Sequence, residues 1–372
     1  MKILHVVGGM NVGGVETWLM HVLRNINREK YHLDFLVSKT EPCAYDDEIR
    51  SLGSKIIACP QPQRPFRYAR RFMSLVKENG PYDLIHSHVH HFSGYILKIA
   101  YNAGIPIRIA HSHSNTSFVE NKKGLIRHAY LRLTEYWIRK YATHGLACSD
   151  LAAADLFGRK WQEHPCYSIL YCGLDLTPFA HCYGKKDTRK MLGIPENTLV
   201  VGHLGRFAEP KNHTFLLEIF AEVYRREPNA HLVLIGDGPL RENILQQADE
   251  LKISSRMHML GIRNDVARCM EVMDVFVFPS LYEGLPLSTV EAQAANLPCI
   301  ISTNVTKMLV TCPELVTRLP LSEGKKVWSS CILSRKSQLS KEEVLTRIKS
   351  GPFSINSCVE QLTTIYSSTA NE

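Results

Sequence analysis

The residues richest in chemistry lie in PSLYEGLPLSTVEAQAANLPCIIS, residues 279–302. A short apolar run ends at Pro279, and a loop with Glu283 and Gly284 follows it. Pro286 suits the first turn of a helix, where its missing N–H is no loss. The amides of Leu287, Ser288 and Thr289 then lack helical partners, and a helix start with free amides attracts anions. Glu291 falls about one and a half turns into that helix and faces the same side as Glu283 at another depth. Two carboxylates beside an anion site suit the hydroxyls of a polyol phosphate. A second segment, VVGHLGRFAEPKN over residues 200–212, carries Arg206 and Lys211 around a proline turn. Arg offers a planar fork and Lys a mobile point charge, a pair that fits a pyrophosphate. In VLIGDGPL (233–240) Gly236 and Gly238 permit close approach at a strand end, and LGIRNDV (260–266) contributes Arg263. Each segment alone also reads as solvated surface charge.

Histidines form the other concentration. His86, His88, His90 and His91 follow one strand candidate, and His111 and His113 follow the next. Histidine pairs bind zinc, but no Cys or carboxylate shares this spacing, so no metal is expected. Alternate residues of an extended segment point the same way, so His111 and His113 can both face a ligand. Gly8, Gly9, Gly13 and Gly14 after the first strand look like a dinucleotide loop. However, no G-x-G-x-x-G is present, and Val37 is followed by Ser38 and Lys39 where an acidic ribose partner would stand. That argues against a nicotinamide oxidoreductase.

These residues need elements to hold them. Short apolar runs alternate with helical patterns, which specifies an α/β chain with parallel sheets. The first half gives strands at Lys2–Val7, Leu33–Val37, Lys55–Ala58, Leu84–His86, Ile107–Ala110 and Gly145–Cys148. The second gives Leu199–His203, His231–Ile235, Met257–Met259, Val275–Val277 and Cys299–Ile301. Phe179–Asn197 breaks the rhythm and reads as a linker, and residues 305–335 receive no element. Two doubly wound domains result, 1–182 and 183–354, followed by a last helix in 355–372. In such sheets ligands bind past the carboxyl ends of the strands, where the segments above lie.

At 372 residues, 45% hydrophobic and 22% charged, the chain is globular rather than disordered or fibrous. No apolar run approaches the ~18 residues of a membrane span, and no secretory signal is recognised, so a cytoplasmic protein is expected. Eleven scattered Cys suggest reduced thiols, with Cys148, Cys269 and Cys299 as packing residues. The net charge of +8 is uneven. Residues 1–190 hold 26 Lys and Arg against 16 Asp and Glu, and residues 191–372 hold 18 against 20.

Taken in order, GGVE (13–16), GRFAEPKN (205–212), GDGPL (236–240), LGIRNDV (260–266) and FPSLYEG (278–284) resemble the marks of family 4 glycosyltransferases. So does the Glu, seven residues, Glu pattern of Glu283 and Glu291. The resemblance covers essentially the whole chain. The HSH pair and the basic first domain look most like the capsule and exopolysaccharide enzymes of bacteria. It implies a GT-B fold of two Rossmann-like domains facing a cleft, and retaining transfer from a nucleotide-diphosphate sugar to a saccharide. It also implies roles. Arg206 and Lys211 would hold the donor diphosphate, Glu291 the ribose hydroxyls and Glu283 the donor sugar. The amides at Leu287 and Ser288 would complete the phosphate cradle. Gly236 and Arg263 would line the donor pocket, with Gly13 and Gly14 approaching the phosphates from the first domain. A His after the fifth strand, either His111 or His113 with His113 preferred, would orient the donor sugar or stabilise its charge. No cofactor and no metal are implied, and the absence of any Asp-x-Asp agrees.

The positive charge points to a second partner. RPFRYARRFMSLVK (64–77) and KKGLIRHAYLRLTEYWIRK (122–140) mix cations with apolar residues at helical spacing. Leu125, Ala129, Leu133, Tyr136 and Trp137 mark one face of the second. Such helices lie on anionic membranes, which would suit an acceptor on a polyprenyl diphosphate. The alternative is an apolar stripe packed on the sheet. No nucleic-acid motif is present. Two rival functions remain, a GT-B nucleotide-sugar epimerase and a non-catalytic homologue in a glycan-assembly complex.

Overall fold

A parallel strand covered on both faces needs apolar side chains on both, so the inner strands of this chain are continuous apolar runs. The computed structural model describes residues 1–114, 116, 124–334 and 339–368. The chain divides into two units, Met1–Gly173 with Ile355–Glu372, and Leu174–Ser354. The first holds β1 (Lys2–Val7), β2 (His32–Val37), β3 (Ile56–Ala58), β4 (Leu84–Ser87), β5 (Ile107–Ser112), β6 (His144–Ala147) and β7 (Tyr167–Ile169), in the order 3-2-1-4-5-6-7. The second holds β8 (Val200–Leu204), β9 (His231–Ile235), β10 (Met257–Met259), β11 (Val275–Phe278), β12 (Cys299–Ser302) and β13 (Val316–Leu319), in the order 10-9-8-11-12-13. All recorded pairings are parallel. Every residue of β9 and β11 is buried, and the core of the second unit gathers Val201, Phe220, Leu232, Leu234, Val277 and Trp328. Each sheet reverses its winding once, between β1 and β4 and between β8 and β11. Those are the topological switch points, where doubly wound folds bind ligands.

Three expectations are corrected. The stretch read as a linker contains the helix Lys185–Met191, which belongs to the second unit. Arg189 on that helix is buried, and its guanidinium donates to the carbonyls of Val272, Glu196 and Thr198 and to Asp274. A buried Arg so fully bonded fastens the helix to the sheet. Two edge strands, β7 and β13, were missed, since edge strands are only partly covered and carry no apolar run. β13 and the helix Gly324–Ser334 fill much of the unassigned 305–335 stretch. Finally, most of the stripe on the helix Leu125–Tyr141 faces outward, and of its residues Trp137 packs on Tyr95, with ring centres 5.8 Å apart. Thr134 and Ile138 are the buried residues there, while Leu125, Leu133 and Tyr136 are exposed. The helix seats against Ser93–Asn102 at Gly94, where a Cβ would fall 2.3 Å from the Thr134 carbonyl oxygen. In the first unit the last helix, Ile355–Ser368, packs on Gly14–Asn25, and Trp18 Nε1 donates to Cys358 Sγ at 3.3 Å.

Candidate active site

The loops after β8 and β11 leave the sheet side by side, because those strands are hydrogen-bonded neighbours. They are also tied to each other. The Leu281 amide donates to the Pro210 carbonyl at 2.8 Å, and Asn212 Nδ2 to the Pro279 carbonyl at 3.0 Å. Asn212 takes a left-handed turn (φ 54°), a conformation Asn tolerates better than most residues, and starts the helix His213–Arg226. Lys211 and Glu283, seventy-two positions apart in the chain, meet in this frame with Nζ and Oε1 2.7 Å apart. Their side chains are 17% and 11% exposed, and the ammonium lies 4.7 Å from the centre of the Phe278 ring. A Cβ on Gly205 would fall 3.2 Å from the Lys211 stem, so the glycine makes room for it.

The helix predicted to open at Pro286 spans Leu287–Ala294 with Pro286 as its N-cap. Thr289 is a correction, since its amide is bonded to the Pro286 carbonyl at 3.0 Å and is not free. No acceptor for the Leu287 and Ser288 amides occurs among the described residues. Gln293 anchors this helix from behind. It is buried, donates to the Thr289 and Leu309 carbonyls, and accepts from Thr311 and from the Cys312 amide. Glu291 keeps some exposed surface, but protein crowds its carboxyl on nearly every side. Desolvation pushes that carboxyl up to about 7. The site therefore holds one carboxylate neutralised by a lysine and one poised to ionise near neutrality.

The other expected residues take different positions. Arg206 is exposed, with no side-chain partner among the described residues. Gly236 is required by the fold itself. Its φ is +133°, and a Cβ there would come within 2.1 Å of the Gly205 carbonyl oxygen. Arg263 spends its fork on Asp265, with both hydrogen bonds at 2.7 Å. In the first unit, Gly13 caps the helix Gly14–Asn25 in an extended conformation, and a Cβ on Gly14 would meet nothing within 4 Å. His111 and His113 do share a side, with ring centres 3.9 Å apart. His111 is 0% exposed and offers no surface to a ligand, whereas His113 is partly exposed. Sequence reasoning missed His5, Trp18, Cys172 and Tyr366, which surround these rings. Strand register could have revealed His5, which pairs with His86 across β1 and β4, whereas Trp18 and Tyr366 arrive on helices with no local signal.

Two family profiles match the chain, one described as Glycosyltransferase Family 4 over residues 12–177 and one as Glycosyl transferases group 1 over residues 184–314. EpsF of Bacillus subtilis is 40% identical over 336 residues, 89% of this chain and 86% of that protein. The chain is a family 4 glycosyltransferase. A further relative of the transferase is the UDP-Gal:alpha-D-GlcNAc-diphosphoundecaprenol alpha-1,3-galactosyltransferase of Escherichia coli, 27% identical over 81% of this chain and 79% of the relative. HepE from Anabaena, solved with UDP-glucose, superposes with a TM-score of 0.81 at 19% identity, over 99% of this chain and 100% of its own. At that identity the likeness bears on fold alone, and the fold is GT-B.

Proposed function

We propose that the transferase moves a sugar, with retention and without a metal, from a nucleotide-diphosphate sugar to a saccharide carried on a polyprenyl diphosphate. The observation that carries the donor assignment is the Lys211–Glu283 pair beside two open helix amides at the switch point of the second sheet. Breaking the bond between sugar and phosphate builds positive charge on the ring and negative charge on the leaving diphosphate. Fixed cations and amides at the diphosphate lower that barrier without reorganising. Arg206 and Lys211 supply the cations, and Leu287 and Ser288 the amides. Glu283 aligns Lys211 and reaches the donor sugar, and Glu291 accepts from the ribose hydroxyls. Gly13, Gly14, Gly236 and Arg263 bound the donor, and His113 orients the sugar. A uridine donor is the first to try, since the Escherichia coli relative is named for UDP-Gal.

For the acceptor, the support is the diphosphoundecaprenol in that relative's name and the outward stripe of the first unit. Phe66, Leu125 and Ile126 are 88–89% exposed among Arg64, Arg67, Arg127 and Arg132. Apolar residues set among cations suit an anionic bilayer, and peripheral contact with one is proposed.

The test of the donor site is Lys211→Ala, read as nucleotide released from UDP-sugars in the presence of acceptor. Loss of about 10²–10³-fold in kcat is expected, the range for one preorganised transition-state contact. Circular dichroism should stay native. Near-normal turnover would remove the diphosphate assignment. Hydrolysis or epimerisation of the donor without any acceptor would favour a different GT-B activity.

A further inference from the structure

Five imidazoles form one block in the first unit. His5 lies on β1, His86 and His88 at the end of β4, and His111 and His113 at the end of β5. Ring centres within the block stand as close as 3.9 Å for His111–His113 and 4.2 Å for His86–His88. Trp18 lies edge-on to His88 and His111. Hydrogen bonds cross the block in two rows, and both rows run in one sense. In the first, His5 Nδ1 meets His88 Nε2 at 2.9 Å, His88 Nδ1 meets His113 Nε2 at 2.9 Å, and His113 Nδ1 meets Cys172 Sγ at 3.7 Å. In the second, His111 Nδ1 meets His86 Nε2 at 3.1 Å, and His86 Nδ1 meets Tyr366 Oη at 2.8 Å.

A neutral ring carries one proton, and each nitrogen-to-nitrogen link takes one. Every proton in a row must therefore point the same way. The row ends decide which way. His5 Nε2 and His111 Nε2 are buried without a protein partner. One sense leaves two bare lone pairs at those atoms and makes Cys172 Sγ and Tyr366 Oη acceptors, whose own hydrogens can rotate away from the rows; the other leaves two orphaned N–H donors fixed in the rings, which buried sites avoid more strongly. Burial holds His5 and His113 down to about 3 and the other three rings well below the usual imidazole range. The remaining titratable groups that face the block are Cys172, Cys148, Cys358, Tyr366 and His90. Burial raises the Cys172, Cys148, Cys358 and Tyr366 groups, which stay protonated and neutral near pH 7.

We propose that all five histidines carry the ring proton on Nδ1 as one coupled network, and that His5, His88 and Cys172 are positioning residues for His113. Both nitrogens of His113 are then committed, so its imidazole enters transfer as a fixed dipole rather than as a proton carrier. The role in transfer rests on the reading that sets His113 beside the donor sugar.

The test is a long-range proton–nitrogen NMR spectrum of the histidine-labelled full chain. The Nδ1–H pattern is expected for all five rings, unchanged from about pH 5.5 to pH 8, the window in which free histidine titrates. An Nε2–H pattern, a ring titrating in that window, or stoichiometric zinc whose removal alters the pattern would overturn the network. His88→Phe cuts the first row, and kcat should fall about 2- to 12-fold, the range for one hydrogen bond, with donor KM steady. His88→Gln, whose amide both donates and accepts, should recover most of it. Equal kcat in wild type and His88→Phe would overturn the positioning role, and Cys172→Ala gives the same comparison if that variant fails to fold. The spectrum needs no donor, so normal turnover in Lys211→Ala would discard the donor site and leave the network standing.

Discussion

Replacing Glu291 by Gln should weaken donor binding and stabilise the apo protein at the same time. Desolvation pushes the Glu291 carboxyl up to about 7 from an ordinary value of 4.5. A carboxyl raised in the fold is held protonated by it. The native state is therefore favoured below the unfolded value, and that advantage is lost as pH rises through about 7. The gap corresponds to about 3 kcal/mol against the ionised form at pH 8. Gln keeps a polar amide at the same place, at a cost of about 1–2 kcal/mol. The net gain for the variant at pH 8 is then about 1–2 kcal/mol, or roughly 2–8 °C in Tm for a domain of this size. Below about pH 4, where the acid is neutral folded and unfolded, only the cost of the amide remains, so the variant should be the less stable by about 1–2 kcal/mol and the order should reverse on going to pH 8.

Donor binding should move the other way. A carboxylate accepts from ribose hydroxyls more strongly than a neutral acid or an amide. With a midpoint at about 7, the ionised fraction climbs from about one-tenth at pH 6 to about nine-tenths at pH 8. Donor KM for the wild type should fall up to about 10-fold over that range if the ionised form alone binds well. In Glu291→Gln the profile should be flat and no better than the wild type at pH 6. Initial rates against donor concentration, at saturating acceptor, supply one arm, and scanning calorimetry of the apo proteins the other. A variant less stable than wild type at pH 8, or a KM that keeps its pH dependence, would refute the reasoning.

On the proposed donor site, where Arg206, Lys211 and helix amides meet the charge on the leaving diphosphate, transfer should proceed in excess EDTA; activity lost with EDTA and restored by a divalent ion would contradict this. Gly236→Ala should cost about 2–4 kcal/mol by thermal melting, because the strained φ and the 2.1 Å approach to the Gly205 carbonyl oxygen leave a Cβ no room. A melting point within error of wild type would mean the loop relaxes freely. Leu125→Ser with Ile126→Ser should reduce flotation with anionic vesicles at low salt while leaving turnover on a soluble acceptor unchanged. Failure of the wild type to float would dismiss the membrane contact.

What the sequence disclosed follows from where information is local. Inner strands such as VFVF are buried on both faces, so composition alone marks them. β7 and β13 lie at sheet edges, with mixed burial, and nothing in YSI or VTRL separates them from a loop. Lys185–Met191 is short and polar, and bonds from Arg189 and Lys185 to Val272, Met273 and Asp274, more than eighty residues along the chain, show it to be a fixed element. The meeting of Lys211 and Glu283 was legible because the two loops that carry them follow neighbouring strands. Thr289 was misread since a 3-10-like first turn satisfies its amide, a detail of local backbone geometry. The imidazole block was half legible. Its β4 and β5 members stand out as HSH pairs, but His5 joins them through strand register and Tyr366 through the return of the last helix, and neither leaves a local trace.

Strand order also changes the meaning of the charge. Divided at residue 190, the chain carries +10 before and −2 after. Divided into its two units, it carries 22 Lys and Arg against 16 Asp and Glu in the first and 22 against 20 in the second. Relative to the cut at residue 190, the first unit loses the helix Lys185–Met191, net +3, together with Asp175, and gains Glu360 and Glu372; the cations of that helix are largely occupied. Lys185 and Arg189 converge on Asp274 at 2.7 and 2.8 Å, and Lys186 pairs with Glu196 at 3.1 Å. Net charge is therefore a weak guide to an acidic partner. Placement is a better one. Arg64, Arg67 and Arg70 form no ion pair among the described residues, and they share a helix with exposed Phe66 and Met73. A nucleic acid would use the cations and leave those apolar side chains in water. An anionic bilayer would take up both, so the exposed apolar residues, more than the charge, favour a lipid surface for the first unit.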